Sequence, residues 1–281
     1  MAASGVRVVA FCVHPDGFRV ISQWAVQRGH DLALVVTLPG ADHYGPGQGS
    51  ILDVASGTDV VVSRRLRSGT ASLVAAVRPD LVVSASFARR IPAEIIGIPK
   101  YGAVNLHPAP LPRGRGPNPQ RLTYEGDPEV GATLHRLAEE FDAGAILSRQ
   151  VRQLGADELT PQGLFAVWAD VLARALDEGA ERALAGEPGE QQDESAATYA
   201  APFTDDEYRL RWGEPALTLQ RRVAALNLLG PRARVVLDGN ESRWRSPCDA
   251  STVSIRRSRQ APCSTGRATS SSCAPPTARS R

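Results

Sequence analysis

The sequence predicts an α/β fold with a mostly parallel, Rossmann-like sheet, and two observations near the start of the chain carry that prediction. Residues 6–13 form an apolar run apart from Arg7 near its start, as is typical of a central strand buried on both faces. A helical pattern over residues 17–28, closed by Gly29, separates this run from a second apolar run at 32–37. Such a β-α-β opening with a short crossover is how a parallel sheet begins.

The rest of the chain continues the alternation of strands and helices. Further strands are expected at residues 58–63, 81–84, 102–107 and 131–137, and another strand is expected to end at Val151. Helices are expected at 68–77 with Ser68 as the N-cap, at 94–97, at 119–124, and from Thr160-Pro161 onward. The last helix carries apolar residues at helical spacing, so this stripe is expected to belong to the core.

Composition bounds the classes of function. A chain of 281 residues with 42% hydrophobic residues can bury a sizeable core, and a net charge of +2 argues neither for nor against a nucleic-acid partner. The first residues lack a signal-peptide layout and no apolar run approaches membrane-spanning length, so we expect a cytoplasmic protein without a membrane partner. The cysteines, Cys12, Cys248, Cys263 and Cys273, match no metal-site spacing, so no metal is expected.

Two polar residues stand at the end of the strand expected at 102–107. Asn105 and His107 are two positions apart, so they point to the same face of an extended strand. Pro108, Pro110 and Pro112 then end the hydrogen-bond ladder, because proline lacks the N–H donor and fixes φ. A carboxamide and an imidazole are therefore expected to project side by side into the mouth of a loop.

Three motifs together resemble the formyltransferase family that uses 10-formyltetrahydrofolate. The pattern of that family is Asn-x-His, then Leu-Pro-x-x-Arg-Gly, then Asp-x-Gly some 35 positions after the histidine. In this sequence the three motifs stand at residues 105–107, 111–116 and 142–144. The similarity runs from about residue 6 to residue 184, and Ala109-Pro110 departs from the Ser-Leu that many members carry before the Leu-Pro pair.

The resemblance implies a Rossmann-like formyltransferase fold, 10-formyltetrahydrofolate as the formyl donor, and three catalytic residues. Asn105 would donate its amide to the oxyanion formed during acyl transfer, and His107 would act as an imidazolium that shuttles a proton. Asp142 would stabilise that imidazolium and take a proton from the attacking amine. No Gly-x-Gly-x-x-Gly follows the first strand, so a nucleotide cofactor is not indicated.

The resemblance also implies ligand contacts outside this triad. The loop after the fourth strand is expected to grip the pterin ring with backbone groups at Phe87, Ala88 and Ile91. Arg115 has two interpretations that stay open, since it could bind an anionic group of the acceptor or only pin its own loop. His135 matches a histidine of many family members, and we interpret it as a structural, hydrogen-bonded residue.

Four functions compete on these motifs. The first, which we favour, is N-formyl transfer to a small-molecule amine. The second is methionyl-tRNA formyltransferase, where a basic insertion after the second strand helps to hold the tRNA, but residues 39–50 here contain no Lys or Arg. The third is a hydrolase that releases formate from the same folate. The fourth is a non-catalytic folate-binding protein, against which the presence of all three polar residues argues.

The chain is expected to divide into four parts. Residues 1–185 form the formyltransferase catalytic domain, 186–203 a polar linker, 204–245 a partial C-terminal domain, and 246–281 an irregular or disordered tail. The tail is rich in Ser, Arg and Pro and lacks apolar periodicity, so it cannot bury enough surface to offset its ordering entropy. A complete C-terminal barrel would need several more strands, so this region is expected to be small and incomplete.

Overall fold

The computed structural model describes residues 5–40, 49–237 and 240–243. The chain divides into residues 1–245 and residues 246–281, and everything described below belongs to the first part. The expectation of an irregular tail falls outside the described residues, as do the three cysteines beyond Cys12. The division of the chain into four parts stays a prediction.

A seven-stranded sheet organises the described unit, with the strand order β3-β2-β1-β4-β5-β6-β7. The strands are β1 (Arg7–Cys12), β2 (Asp31–Thr37), β3 (Val60–Val62), β4 (Leu81–Ala85), β5 (Ala103–His107), β6 (Glu129–Arg136) and β7 (Ile146–Gln153). The first five run parallel, whereas β6 pairs antiparallel with both β5 and β7. The predicted α/β fold with a mostly parallel sheet is therefore confirmed, and the antiparallel edge is a detail that the sequence pattern did not specify.

The helices cover the sheet between the strands. They are α1 (Pro15–Arg28), α2 (Ile51–Val54), α3 (Ala71–Val77), α4 (Ala93–Ile96), α5 (Arg121–Glu125), α6 (Pro161–Leu184) and α7 (Ala216–Leu226). α1 begins two residues before the prediction, because Pro15 suits a first helical turn and the His14 side chain accepts the N–H of Asp16. α6 begins as expected, with the Thr160 side chain accepting the N–H of Gly163.

The helix expected at residues 68–77 was predicted wrongly at its start. A π-helical turn, Leu66–Thr70, precedes α3, and Ser68 lies inside this turn instead of capping a helix. The carbonyl of Arg65 accepts from the N–H groups of Gly69 and Thr70 and from the Thr70 hydroxyl. The backbone of the turn therefore satisfies donors that an N-cap side chain would otherwise take.

The two faces of the sheet are covered unequally. The long helices α1 and α6 pack on one face, where Trp24 and Leu176 belong to the larger apolar core. On the other face Phe11 packs in a smaller cluster with Val74 of α3, and α3 and α4 have only seven and four residues. Asn105, at the carboxyl end of β5 on this second face, remains partly exposed. The thinner cover leaves room for a cleft at that end of the sheet.

A small C-terminal part follows the polar segment 186–203. α7 packs beside α5, and the strands β8 (Arg234–Leu237) and β9 (Asn240–Arg243) form an antiparallel hairpin. Tyr124, Leu210 and Leu226 belong to a separate apolar cluster in this region. In the part of the chain that the structure describes, no helix is both long and apolar enough to cross a membrane.

Candidate active site

Three neighbouring strands bring three polar side chains into one row. Ser84 in β4 stands opposite Asn105 in β5, and Asn105 stands opposite His135 in β6. Residues in register on adjacent strands share a face of the sheet, and His107 shares it too because it lies two positions after Asn105. The predicted pair therefore meets a histidine from the antiparallel edge, at the carboxyl end of β5, where ligands bind in open α/β sheets.

The surroundings of His135 fix its protonation state. The residue is 2% exposed, its Nδ1 lies 2.8 Å from the carbonyl oxygen of Arg136, and its Nε2 lies 3.1 Å from Nδ2 of Asn105. Burial lowers the pKa of His135 to about 4, against the opposing effect of the Asp142 carboxylate. The ring is therefore neutral at neutral pH, and its proton sits on Nδ1 because the carbonyl needs a donor.

The neutral ring of His135 in turn orients Asn105. Its Nε2 is left as an acceptor, so it receives a hydrogen from the amide nitrogen of Asn105 and cannot face the amide oxygen. The second hydrogen of that amide points to Oδ1 of Asp142 at 3.5 Å, which is too long for a strong hydrogen bond. Asn105 therefore makes one strong bond that orients it and one weak bond that a better acceptor can replace.

His107 is buried between two acceptors. Its Nε2 lies 2.8 Å from the carbonyl oxygen of Gly114, and its Nδ1 faces Oδ1 of Asp142 at 3.5 Å. Since the carbonyl needs a donor, the proton on Nε2 is fixed, and Nδ1 is the nitrogen left for proton exchange. The ring is therefore placed to hold or move a proton at Nδ1, next to a carboxylate.

Asp142 connects the two side chains of β5 to the loop that follows β5. It stands in the turn between β6 and β7 with φ +57°, a left-handed conformation that costs an L-residue roughly 1–2 kcal/mol. Its Oδ2 accepts the N–H of Gly116 at 2.9 Å, while Oδ1 faces Asn105 and His107. With its side chain only 11% exposed, the carboxylate is held in a narrow range of positions.

A close steric contact explains why glycine stands at the last position of the Asp-x-Gly motif. A Cβ atom on Gly144 would stand 1.8 Å from the carbonyl oxygen of Arg136 and 3.3 Å from Nδ1 of His135. The turn between β6 and β7 therefore closes so tightly that only glycine fits without displacing backbone. Because the same carbonyl is the partner of His135, Gly144 also protects the contact that fixes the tautomer of this histidine.

Thr133 in β6 anchors the proline-rich loop after β5. This residue is fully buried, and its hydroxyl donates to the carbonyl of Ala109 at 2.8 Å and accepts the N–H of Leu111 at 3.1 Å. Arg149 in β7 donates to the carbonyl of Leu111 at 2.9 Å. The prolines end the strand as predicted, and these bonds then fix the path by which the loop returns to the imidazole of His107.

A cleft opens beside the polar side chains. Phe87 and Ile91 form apolar parts of its wall, and Asn105 and Asp142 form polar parts. Of the three residues predicted to hold the pterin, these two apolar residues line the cleft, whereas Ala88 is exposed and is not among the described residues that line it. Apolar walls with a few convergent polar groups fit a flat heteroaromatic ligand such as a reduced folate.

The loop that carries the expected pterin contacts is supported by aromatic packing. The Phe87 ring meets the buried Phe11 edge-on, with ring centroids 5.3 Å apart. Across the cleft, the guanidinium of Arg90 lies 5.6 Å above the ring of Phe141. Ser86 adopts φ +54°, so the chain turns sharply where it leaves β4. The wall is therefore well defined, and the use of its backbone groups for a pterin stays a prediction.

The guanidinium of Arg115 is hydrogen-bonded to other side chains of this protein. Its guanidinium donates to Oε1 of Gln192 at 2.7 and 3.1 Å and to both carboxylate oxygens of Glu194 at 2.8 Å. The hydrogen bonds with Glu194 raise the pKa of Arg115 above its ordinary value. These contacts match the interpretation in which Arg115 pins its loop, and a contact with an acceptor stays a prediction.

Gln192 is the residue at this site that the sequence did not reveal. Its side-chain amide donates to the carbonyls of Asp142 and Gly144 at 2.7 and 2.8 Å. It lies within the segment expected to be a linker, where a polar run without periodicity gave no sign of contact with the Asp-x-Gly turn. The segment also pairs with the site loops through a bridge between Arg115 and Tyr199.

The described side chains can therefore supply a hydrogen-bond donor, a proton carrier and a carboxylate within one small volume. Among residues 5–40, 49–237 and 240–243, no group of three or more His, Cys, Asp or Glu side chains is placed to hold a metal ion. A positioned donor beside a proton carrier and a base is what acyl transfer to an amine requires.

Comparison with known proteins identifies the family. A model described as "Formyl transferase" matches residues 48–167. The methionyl-tRNA formyltransferase of Halorhodospira halophila is 33% identical over 241 residues, which are 84% of this chain and 70% of that protein. This chain belongs to the formyltransferase family. The family uses 10-formyltetrahydrofolate as the formyl donor, so the resemblance found in the sequence is confirmed.

Another relative and two solved structures are also similar, over different shares of their own lengths. The methionyl-tRNA formyltransferase of Methylococcus capsulatus is 37% identical over 172 residues, and the chain spans 54% of it. A sugar N-formyltransferase from Shewanella has a TM-score of 0.64 at 16% identity, covering 86% of this chain and 97% of that one. HypX from Aquifex aeolicus in complex with tetrahydrofolic acid has a TM-score of 0.63 at 18% identity, covering 85% and 37%. At these identities the two structures show the fold alone.

Proposed function

We propose that this protein transfers a formyl group from 10-formyltetrahydrofolate to the amine of an acceptor, with Asn105, His107 and Asp142 as the catalytic residues. The observation that carries the proposal is the convergence of the first two on one oxygen of the third, each at 3.5 Å, beside a cleft that Phe87 and Ile91 help to line. Formyl transfer needs a donor for an oxyanion, a proton carrier and a base, and each of the three side chains supplies one of them.

Asn105 serves as the donor for the oxyanion. The folate supplies the formyl carbonyl, whose oxygen becomes negative when the amine adds to the carbon. The Asn105 amide can turn its weakly bonded hydrogen from Asp142 to that oxygen, while His135 holds the other hydrogen. Because the donor is already oriented, little reorganisation is needed in the transition state, and such a donor is typically worth about 2.7–4 kcal/mol.

His107 and Asp142 handle the protons. Asp142 accepts a proton from the attacking amine, directly or through a water molecule, and His107 donates the proton that the leaving folate nitrogen needs. The Gly114 carbonyl holds the ring through Nε2, so that Nδ1 stays directed at the carboxylate. Distances of 3.5 Å are longer than working hydrogen bonds, and catalytic contacts of this kind commonly shorten in the substrate complex.

A small-molecule amine is the acceptor that we propose. The support comes from the sequence of residues 39–50, where the tRNA-specific enzyme of the family is expected to carry basic side chains and this chain has no Lys or Arg. Positions 41–48 lie outside the described residues, so their sequence alone contributes here. A sugar N-formyltransferase among the proteins of similar fold is consistent with a small acceptor.

Methionyl-tRNA is a second candidate acceptor, and a different observation favours it. The relatives with 33% and 37% identity are named methionyl-tRNA formyltransferases. The chain spans 70% and 54% of their lengths, so part of each relative has no counterpart in the aligned residues. The two candidates differ in whether the amine sits on a small molecule or on a nucleic acid, and one assay separates them.

The test is to incubate the protein with 10-formyltetrahydrofolate in separate reactions with pooled small amines, with methionyl-tRNA, and with no amine. Mass spectrometry would detect formylated products, and folate absorbance would follow donor turnover. We expect a formylated small amine, and a His107→Gln variant should serve as the inactive control. Formylated methionyl-tRNA alone would replace the proposed acceptor. Formate release without an amine would identify a hydrolase, and folate binding without turnover would leave a binding protein.

A further inference from the structure

We propose that residues 190–200, called the strap below, hold Asp142 in its working position, and that Gln192 is the positioning residue of the strap. The inference rests on the proposed function of Asp142 and extends it to a part of the chain that the sequence marks only as polar. Gln192 acts through the backbone of the Asp-x-Gly turn and need not touch a reacting atom.

Gln192 joins two loops through a single amide group. Its Nε2 donates to the carbonyl of Asp142 at 2.7 Å and to that of Gly144 at 2.8 Å. Its Oε1 accepts from the guanidinium of Arg115 at 2.7 and 3.1 Å. The amide can adopt only one orientation, because the two carbonyls require its nitrogen and the guanidinium requires its oxygen.

The turn that Gln192 binds needs support from outside. Asp142 has a φ of +57°, which residues with a Cβ atom seldom adopt unless the surroundings impose it. The carbonyls that Gln192 binds stand at the two ends of the three-residue motif, so one side chain fixes both ends. The carboxylate that faces Asn105 and His107 is therefore held by its own contacts and by the strap behind it.

The strap also holds the loop on the other side of the site. The Thr198 hydroxyl accepts the N–H of Gly114 at 2.9 Å, and the Thr198 carbonyl accepts the N–H of Arg115 at 3.0 Å. Arg115 is bound in addition to both carboxylate oxygens of Glu194. Because the Gly114 carbonyl is the partner of His107 Nε2, the strap fixes the surroundings of the imidazole as well.

Tyr199, near the C-terminal end of the strap, packs against Gly116, whose N–H binds the Asp142 carboxylate. Gly116 donates its N–H to Oδ2 of Asp142, and a Cβ atom on Gly116 would stand 2.5 Å from the ring of Tyr199. The N–H of Ala200 donates to the carbonyl of Arg115 at 2.6 Å. The strap thus reaches both the backbone of Asp142 and the glycine whose N–H binds the Asp142 carboxylate.

Gln192→Glu is the sharpest variant, because it keeps the size of the side chain and its pairing with Arg115. It replaces the donating nitrogen with an oxygen that faces the carbonyls of Asp142 and Gly144, so the turn should shift. Displacements of about 1 Å at reacting groups can cost on the order of a hundredfold in rate. We expect kcat to fall about ten- to hundredfold, with the affinity for a stable folate analogue changed by no more than about twofold.

The matched control is Gln191→Glu, the same substitution at the neighbouring, exposed position. It adds the same charge to the strap and should leave kcat within about twofold of the parent protein. Gln192→Met provides a second variant without added charge and should lower kcat in the same direction, which keeps the test valid if Gln192→Glu folds poorly. Thermal unfolding of each variant should be measured beside turnover.

Combining Gln192→Glu with Asp142→Asn separates positioning from general structural support. If Gln192 acts through Asp142, the double variant should turn over no more slowly than Asp142→Asn alone. Normal kcat in both Gln192 variants, or a parallel fall of kcat, analogue affinity and melting temperature, would overturn the inference. Near-normal turnover of Asp142→Asn by itself would instead overturn the proposed function, so the two failures are distinguishable.

Discussion

The surroundings of His107 and His135 show how one side chain type acquires two roles on one face of one sheet. Both rings are buried, and each has one nitrogen 2.8 Å from a backbone carbonyl. They differ in the surroundings of the second nitrogen, because Nδ1 of His107 faces Oδ1 of Asp142 at 3.5 Å, whereas Nε2 of His135 lies 3.1 Å from the Asn105 amide nitrogen and 3.8 Å from the same carboxylate oxygen. Burial lowers the pKa of His135 to about 4, so this ring is a fixed acceptor at neutral pH.

The comparison teaches that burial and the partner of the second ring nitrogen together separate a proton carrier from an orienting group. The carboxylate beside His107 gives a proton somewhere to go, whereas the nearer partner of His135 Nε2 is an amide that offers a hydrogen to be accepted. His107 faces Asp142 and His135 faces Asn105, so replacing either histidine should affect the same reaction. The size and kind of the effect should differ, and variants of the two sides can test that.

The largest effect on turnover is expected for variants of His107 and of its partner Asp142. His107→Gln can still donate to the Gly114 carbonyl but cannot carry a proton, and Asp142→Asn can neither accept a proton nor stabilise an imidazolium. Each should lower turnover by about a hundred- to ten-thousandfold with little change in folate-analogue affinity. Steady-state turnover and calorimetric titration with the analogue would measure the two quantities.

The double variant His107→Gln/Asp142→Asn extends this test. Residues that act as one unit give strongly non-additive losses, so the double variant should be little worse than the poorer single one. Losses that simply added would contradict the shared proton path that we propose, and near-normal turnover of either single variant would contradict its assigned role.

A smaller and mixed effect is expected on the other side of the comparison, for His135→Ala. This change leaves the Asn105 amide and the Arg136 carbonyl without their buried partner and removes a packed ring. We expect the free energy of unfolding to fall by about 2–4 kcal/mol and turnover to fall about ten- to hundredfold. Chemical denaturation and turnover of the same preparation would show whether both change. A pure loss of stability, with normal turnover of the folded fraction, would mean that Asn105 needs no orienting partner.

Gly144→Ala tests the surroundings of His135 without replacing the histidine itself. The new methyl group would stand 1.8 Å from the Arg136 carbonyl, so the turn or the carbonyl must move. Overpacking of this kind typically costs about 1–3 kcal/mol, and turnover should fall because the same turn carries Asp142. Gly213→Ala is the control, since Gly213 has nothing within 4 Å of the added atom. Equal melting temperatures for the two variants would contradict the tight turn.

Much of the fold could be predicted because the strands of a parallel sheet are marked by continuous apolar runs. β1 and β2 lie within one residue of the expected runs, since burial on both faces leaves no alternation to misread. The start of α3 could not be predicted, because a serine that suits an N-cap by type lies inside a π-helical turn whose bonds are made by backbone. The antiparallel direction of β6 is set by pairing over long range, which local pattern does not encode.

The part of the candidate site that lies within short motifs could be predicted from the sequence. The contacts made by residues much further along the chain could not. Asn105 and His107 share a face because of a two-residue spacing, and the Asp-x-Gly turn brings Asp142 to them. Gln192 lies 50 residues beyond Asp142 in a polar segment, and only the folded path shows that it binds the turn. The sequence places Ala88 in the same loop as Phe87 and Ile91, but it does not show that Ala88 is exposed while the other two line the cleft.

Measured over one pH unit, the pH dependence of stability is expected to show the smallest effect. In the unfolded chain His135 titrates near its ordinary pKa of 6.5, whereas in the folded protein burial lowers that pKa to about 4. Between these two pH values the unfolded chain binds a proton that the folded protein does not. The free energy of unfolding should therefore fall as the pH is lowered from about 6.5 toward 4, by at most about 1.4 kcal/mol per pH unit, and this group should have no effect above that window.

Denaturant unfolding of the parent protein and of His135→Gln, between about pH 5 and 7, would measure this contribution as a difference of slopes. The parent should lose stability more steeply on acidification, because the variant lacks the group that protonates on unfolding. Burial also lowers the pKa of His30, but that residue is present in both proteins and its contribution cancels. Equal slopes would mean that burial does not lower the pKa of His135, so the folded protein would also take up a proton on this ring below about pH 6.5. Below that pH its Nε2 would be a donor, and the amide of Asn105 would have to face it with its oxygen, which would contradict the fixed acceptor role assigned to His135.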